Sequence, residues 1–124
     1  MSMTAGIDFR QFARSVGTVM DYHQGDAIFR EGDEPRYMYV VLVGGVDIVA
    51  HGKVLETIHD GKAFGIVSVL DDQRRTATAV AHDATSVAVI DRKKFRYMIE
   101  EMPNFCWYVM GELAHRLRVT NAAL

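Results

Sequence analysis

The segment best suited to chemistry lies between residues 64 and 78 and reads FGIVSVLDDQRRTAT. Gly65 precedes a short apolar stretch that predicts a helical turn, and Arg75 follows about ten residues later. Amides at the start of a helical turn point outward as donors, while a guanidinium forms bidentate, charge-assisted pairs with phosphate. The pattern therefore predicts that this segment can hold a phosphate group.

The same segment also allows a plainer interpretation. Asp71 and Asp72 are close enough in sequence to pair with Arg74 and Arg75 in a solvent-exposed turn. A glycine and an arginine at this spacing are a weak signal by themselves. Taken in isolation, the segment therefore favours the surface turn, and the surrounding sequence has to decide between the two.

The remaining reactive side chains form no catalytic or metal-binding pattern. A metal-dependent cupin-like enzyme needs clustered imidazoles. The five histidines are scattered along the chain: His23, His51, His59, His82 and His115. We expect His51, His59 and His82 in exposed turns or at strand ends. Ser68 and Ser86 lack a glycine elbow. Cys106 is the only cysteine, which excludes an intramolecular disulfide and a Cys-based zinc site. We therefore expect no enzyme activity, metal or cofactor.

The elements around this segment are mostly short β-strands. Residues 7–16 predict a short amphipathic helix that ends at Gly17. Between residues 19 and 91, β-rich runs alternate with glycine- and aspartate-bearing turns, which is typical of a β-sandwich or barrel. Gly52 between two such runs predicts a hairpin. Helical spacing then predicts two helices over about 92–101 and 103–120.

In this frame the sequence resembles the cyclic-nucleotide-binding domain family, which includes the catabolite activator protein, kinase regulatory subunits and cyclic-nucleotide-gated channels. The landmarks that carry the resemblance occur in order over about residues 19–118: GDAIFREGD at 25–33, YVVLVGGV at 39–46, GKAFG at 61–65, RTA at 75–77 and VIDR at 89–92. The resemblance implies a mainly β, jelly-roll-like barrel of about eight strands with one N-terminal and two C-terminal helices. It also implies a single domain over residues 1–124.

The resemblance implies a ligand site in the phosphate-binding cassette that begins at Phe64. Arg75 would bind the cyclic phosphate, backbone amides of Ser68 and Thr76 would complete the cradle, and Gly65 would allow close approach to the ribose. The Thr76 hydroxyl would reach guanine in members that prefer cyclic GMP, or else bond a nearby backbone group. The implied ligand-binding residues are Phe64, Gly65, Ile66, Val67, Ser68, Arg75, Thr76 and Ala77.

The sequence departs from the family at Ile66, where the family usually has a glutamate that accepts the ribose 2′-hydroxyl. An isoleucine would leave that hydroxyl facing an apolar wall. A lost hydrogen bond to a charged group costs about 1.5–3 kcal/mol, or about ten- to hundredfold in affinity. A degenerate member that serves as a protein-interaction or dimerisation module is therefore the alternative to a sensor of cyclic AMP, cyclic GMP or a related phosphate ligand.

The composition of the chain restricts the classes of partner that it can bind. The net charge of −2 disfavours direct nucleic-acid binding, and two basic clusters, residues 92–94 and Arg116 with Arg118, are expected to be solvated helix faces. No apolar run is long enough for a membrane span and the N-terminus lacks a signal-peptide core, so we expect a cytoplasmic protein.

The last predicted helix indicates how a signal would leave the domain. Its first turns are apolar nearly all round, so it must bury more than one face. With no effector domain in the 124 residues, output is expected through a homodimer or a separate protein partner. The helical spacing of Cys106, Met110, Leu113 and Leu117 favours a symmetric dimer. Otherwise these four residues only cover the barrel. If Trp107 or Tyr108 reaches the pocket, it could stack on a base.

Overall fold

The computed structural model describes residues 8–122. Within this range the chain forms eight strands and four helices. The helices are α1 (Arg10–Val16), α2 (Ile66–Asp71), α3 (Arg92–Glu101) and α4 (Pro103–Ala122). The strands are β1 (Thr18–Tyr22), β2 (Ala27–Phe29), β3 (Tyr37–Val43), β4 (Gly45–Ala50), β5 (Lys53–His59), β6 (Ala63–Phe64), β7 (Thr78–Ala81) and β8 (Thr85–Asp91).

The strands form two four-stranded antiparallel sheets. The first sheet has the order β1-β8-β3-β6 and the second has the order β2-β7-β4-β5. The predicted fold class, a mainly β barrel of about eight strands with flanking helices, is confirmed. The predicted hairpin is also confirmed, because β4 and β5 pair around His51 and Gly52, which have φ values of 53° and 73°. Two successive residues with positive φ are the signature of a tight hairpin turn.

The first helix begins later than the sequence predicts. α1 begins at Arg10, because Phe9 is its N-terminal cap and Asp8 accepts a hydrogen bond from the Arg10 backbone amide at 3.0 Å. The prediction that the helix includes Asp8 and Phe9 is therefore wrong, and Ile7 lies outside the described residues. The end of α1 at Gly17 is confirmed by the bond from the Gly17 amide to the Ala13 carbonyl.

Strand β3 separates two apolar cores, because successive side chains of a strand point to opposite faces. Met38, Val40 and Leu42 point to the helices and join a cluster that we call the helix-side core. Tyr39 and Val41 point between the two sheets, into a cluster that we call the barrel core. The helix-side core also contains side chains from all four helices, whereas the barrel core is built from strand residues alone.

Helix α4 buries a different set of residues from the predicted stripe. Its buried side chains are Phe105, Tyr108 and Val109. In the predicted stripe, Leu113 packs against the helix-side core and Cys106 is half-buried, but Met110 and Leu117 are 43% and 64% exposed. The predicted stripe is therefore not one continuous face. No helix in the described range is both long and apolar enough to cross a membrane.

Candidate functional site

The backbone of Arg75 is held by a turn that carries Gly32 and Asp33. The Gly32 amide donates to the Arg75 carbonyl at 2.8 Å, and the Arg75 amide donates to the Asp33 carbonyl at 2.9 Å. Gly32 has a φ of 89°, and the Asp33 carboxylate closes the turn by accepting from the Arg30 amide at 2.9 Å. This turn fixes where the arginine side chain leaves the backbone.

The Arg75 guanidinium is buried inside the barrel, with only 4% of the residue exposed. Nη1 donates to the Gly65 carbonyl at 2.8 Å and Nη2 donates to the Tyr37 carbonyl, while the group lies 4.1 Å from the centroid of the Phe29 ring. Nε is buried and has no hydrogen-bond partner among the described residues. Burial lowers the pKa of Arg75 from its usual value, although a guanidinium remains charged in proteins.

Some N–H donors of Arg75 have no hydrogen-bond partner among the described residues. A guanidinium has five N–H donors, and the bonds to the Gly65 and Tyr37 carbonyls account for only part of them. Thr85 is another buried residue with a polar side chain, and its hydroxyl both accepts from the Gly45 amide and donates to the Gly45 carbonyl. Buried polar groups are nearly always paired. The free Nε of Arg75 therefore marks a place where an acceptor is missing.

Gly65 is required by the geometry of this arginine. It has a φ of 75°, in the left-handed region, and it caps the N-terminus of α2. A Cβ atom at this position would lie 2.9 Å from Nη1 of Arg75 and 3.3 Å from the Tyr39 ring. No side chain caps this end of α2, so the first amides of the helix lack the usual intrahelical acceptors.

A cavity of about 80 Å³ adjoins Arg75 and the start of α2. All eight residues that the sequence singled out for ligand binding line this cavity: Phe64, Gly65, Ile66, Val67, Ser68, Arg75, Thr76 and Ala77. Three residues that sequence reasoning missed also line it: Phe29, Ile48 and Arg116. The alternation of β4 could have indicated Ile48, because it points to the same side as the buried Val46.

Arg116 of α4 is exposed, as the sequence predicts for a solvated helix face. Its side chain also lines the cavity and forms an ion pair with Glu56 of β5 at 3.3 Å, which the sequence does not predict. Trp107 is 46% exposed, and Tyr108 is buried with its hydroxyl accepting from the Ala63 amide at 2.9 Å. Neither aromatic residue lines this cavity, so α4 presents a cation here and not a stacking ring.

The Ile66 side chain packs in a different place from the one that the sequence predicts. Its side chain belongs to the helix-side core, where it is 6% exposed beside Val69. The residue also contributes to the cavity wall, but it is not simply an apolar wall for a sugar hydroxyl. Because Ile66 is the first residue of α2 after the left-handed Gly65, the chain turns there from the barrel core to the helix-side core.

The predicted local pairing of Asp71 and Asp72 with Arg74 and Arg75 is wrong. Asp72 forms an ion pair with Arg92 at 3.0 Å, and Arg74 donates to the Gly32 carbonyl at 3.0 Å. Arg75 is buried inside the barrel. The aspartates lie at the exposed end of α2, where the chain reverses through a left-handed Asp72 with a φ of 56°. Their side chains therefore lie away from the buried Arg75 side chain.

A larger groove of about 660 Å³ lies outside the barrel, between the cassette and α3. Its charged groups already pair with one another, as in the Arg92–Asp72 pair and the 3.3 Å pair between Arg36 and Glu34. The smaller cavity beside Arg75 is the stronger candidate site, because all eight predicted residues line it and Arg75, whose Nε is buried without a partner among the described residues, is one of them. In the described part of the chain, no three His, Cys, Asp or Glu side chains are placed to hold a metal ion.

Residues 19–102 match the family described as cyclic nucleotide-binding domain. The chain belongs to this family. It is 34% identical over 83 residues to a cAMP-dependent protein kinase regulatory subunit of Debaryomyces hansenii, which is 65% of this chain and 18% of that protein. It is 31% identical over 108 residues to the cyclic AMP receptor protein of Thermus thermophilus, which is 83% of this chain and 50% of that protein. The chain thus spans at most half of either relative.

The solved structures support the same family. The crystal structure of the Thermus thermophilus catabolite activator protein superposes with a TM-score of 0.83 at 28% identity, covering 99% of this chain and 61% of that one. A transcriptional regulator's N-terminal domain from Streptomyces coelicolor gives a TM-score of 0.66 at 25% identity, covering 99% and 92%. The family and the fold that the sequence predicts are confirmed, and relatives in the cyclic nucleotide-binding domain family include regulatory proteins.

Proposed function

We propose that this chain is a regulatory ligand-sensing domain that binds a cyclic nucleotide, cyclic AMP or cyclic GMP, or a related phosphate ligand. The observation that carries the proposal is the buried guanidinium of Arg75, whose Nε lacks a partner beside a cavity. A buried donor without an acceptor costs free energy, and a buried charge costs more when no opposite charge pairs with it. A phosphate oxygen would supply that acceptor and the compensating charge. The relatives named for cyclic AMP support this choice of ligand.

In this proposal each cassette residue has its own role in ligand binding. Arg75 binds the phosphate, and backbone amides of Ser68 and Thr76 donate to its other oxygens. Gly65 permits close approach because it has no side chain, and Phe64 and Ala77 complete the wall. Ile66 offers no acceptor to a ribose hydroxyl, so the phosphate supplies most of the polar recognition.

The size of the cavity suggests how binding would be communicated. Pockets for small molecules usually have volumes of about 300–1,000 Å³, whereas this cavity has about 80 Å³. A whole nucleotide therefore requires displacement of a neighbouring element. The end of α4 that carries Arg116 is the part of the wall contributed from outside the barrel. We infer that the ligand moves α4 and that this helix carries the output.

The test is calorimetric titration of the chain with cyclic AMP and cyclic GMP up to millimolar concentration. We expect binding of at least one nucleotide, and loss of that binding in Arg75→Gln. Arg96→Gln is the matched control, because Arg96 is 80% exposed on α3 and pairs only with Glu100 in the described structure. Arg75→Lys keeps the charge but not the fork-shaped donors, and a thermal melt of each variant verifies that it is folded. No binding of either nucleotide by the unaltered protein would exclude both ligands.

A protein-interaction module is the second candidate, favoured by apolar side chains that α4 leaves exposed. Trp107, Met110 and Leu117 are 46%, 43% and 64% exposed, and a homodimer or a separate protein partner would cover them. Sedimentation velocity would test self-association. In this alternative Trp107→Ala weakens assembly and Arg75→Ala leaves it unchanged. An Arg75 variant that is folded but cannot assemble would contradict the alternative.

A further inference from the structure

The cavity beside the cassette contains two guanidinium groups from different parts of the fold. Arg75 approaches from the barrel core, and Arg116 approaches from α4. Among the described residues that line the cavity, none is acidic. A single site with two cations and no carboxylate favours a ligand with more than one negative charge.

The present partner of Arg116 does not prevent this role. Arg116 and Glu56 lie 3.3 Å apart, and their side chains are 43% and 45% exposed. Exposed ion pairs of this kind contribute little to stability. Glu56 does not line the cavity. A ligand anion in the cavity can therefore take Arg116 from Glu56 at little cost.

The volume of the cavity limits how much of a ligand it can hold. A water molecule occupies about 30 Å³ of liquid volume, so about 80 Å³ holds a group of the size of one phosphate and not a whole nucleotide. A phosphate that reaches Arg75 fills this space. The rest of the ligand must then lie outside this space, and the half-exposed Arg116 is the other cation in the wall of the cavity.

We propose that Arg116 is a second anion-binding residue and that the site prefers a nucleotide with two negative charges to a singly charged cyclic mononucleotide. The inference rests on the proposed function, because it assumes that Arg75 binds a phosphate. Two sources share this chemistry: a 5′-monophosphate, whose phosphate carries about −1.5 to −2 charge at neutral pH by analogy with phosphorylated side chains, and a cyclic dinucleotide with two phosphodiesters. The first places both charges on one phosphate, and the second places them on two.

The experiment compares affinities of the full chain for cyclic AMP, 5′-AMP, cyclic di-AMP and cyclic di-GMP by calorimetry at two salt concentrations. We expect one of the doubly charged ligands to bind more tightly than cyclic AMP, and which of them does so identifies the source. Arg116→Gln is expected to weaken that ligand roughly ten- to hundredfold and to change the affinity for cyclic AMP little. Arg118→Gln, an exposed arginine on the same helix outside the cavity, controls for net charge.

The outcomes separate the inference from the proposed function. If cyclic AMP binds most tightly in an Arg75-dependent manner and Arg116→Gln has no effect, the inference is overturned and the sensor proposal stands. Equal losses in Arg116→Gln and Arg118→Gln also overturn it, because they indicate only general electrostatic attraction. If none of the four ligands binds, the inference fails, and the sensor proposal fails with it if cyclic GMP does not bind either.

Discussion

The two cores on either side of β3 differ in size and in what they bury, and the helix-side core is the larger. The helix-side core is apolar, and one hydroxyl, that of Tyr108, links it to the strand before the cassette. The barrel core surrounds a guanidinium with an unpartnered donor. Adjacent residues divide between them: Gly65 touches Arg75, and Ile66 packs with the helices. The buried hydroxyl of the first core has a partner, while the second core buries a donor that has none among the described residues, which costs free energy.

The largest expected effect is on the helix-side core. Phe105 is fully buried, and its ring centroid lies 5.4 Å from that of Phe9 and 6.0 Å from that of Phe95. Phe105→Ala should lower the free energy of unfolding by about 3–5 kcal/mol, because the cavity left behind cannot fully collapse. Trp107→Ala, an aromatic truncation two residues on, should cost much less because Trp107 is half exposed. Urea unfolding followed by circular dichroism measures both, and similar losses would contradict the division between the faces of α4.

The link between the cores should respond next. Tyr108→Phe removes the acceptor of the Ala63 amide and leaves a buried N–H unpaired, which costs about 1–3 kcal/mol. Hydrogen exchange of the Ala63 amide should accelerate. Tyr97→Phe is the control, because Tyr97 is 55% exposed on α3. Unchanged exchange at Ala63 would mean that this amide has another acceptor when the hydroxyl is absent.

In the barrel core we expect a smaller loss of stability than for the two preceding variants, together with a loss of ligand binding. Gly65→Ala places a side chain in the left-handed region, which should lower the free energy of unfolding by about 1–2 kcal/mol. The new Cβ would lie 2.9 Å from Nη1 of Arg75. Gly52→Ala is a matched control, because Gly52 has a similar φ of 73° but open space around it. Both variants should lose similar stability in thermal melts, and only Gly65→Ala should lose ligand affinity. Equal affinity in the two would show that Arg75 needs no such clearance.

The sequence predicts the strands well because the barrel depends on local signals. Alternating apolar residues and glycine-bearing turns mark seven of the strands within a few residues, whereas the two-residue β6 is too short to show alternation. The cassette residues could be found because they are contiguous and keep a family pattern. Arg116 could not, because it reaches the cavity only through the packing angle of α4, and no local spacing encodes that angle.

Ile66 shows a second limit of sequence reasoning. A substitution at a recognised position tells which chemical group is missing, but not where the new side chain goes. The left-handed turn at Gly65 and the apolar cluster beneath α4 together decide that Ile66 packs with the helices. We therefore expect Ile66→Glu to destabilise the fold by burying a charge and not simply to restore a sugar contact.

The smallest expected effect lies outside both cores, at an ion pair on the second sheet. Nδ1 of His82 lies 3.0 Å from an Asp47 oxygen, and Thr57 donates to the same carboxylate at 2.7 Å. The hydrogen bond to Asp47 raises the pKa of His82 above 6.5. Burial alone would raise the pKa of Asp47, but the hydrogen bonds from His82 and Thr57 outweigh it and lower the pKa below 3.8.

These opposite shifts define a pH window. The contribution of His82 is complete below pH 6.5 and disappears as the pH rises through its higher folded-state pKa, while that of Asp47 is complete above pH 3.8 and disappears as the pH falls. His82→Gln should therefore reduce the fall in melting temperature on the alkaline side of the window. The change should be small, because the His82 side chain is 55% exposed. His23→Gln, at a side chain 99% exposed, is the control for the removal of an imidazole. If both variants flatten the alkaline limb equally, the pH dependence belongs to net charge and not to this pair.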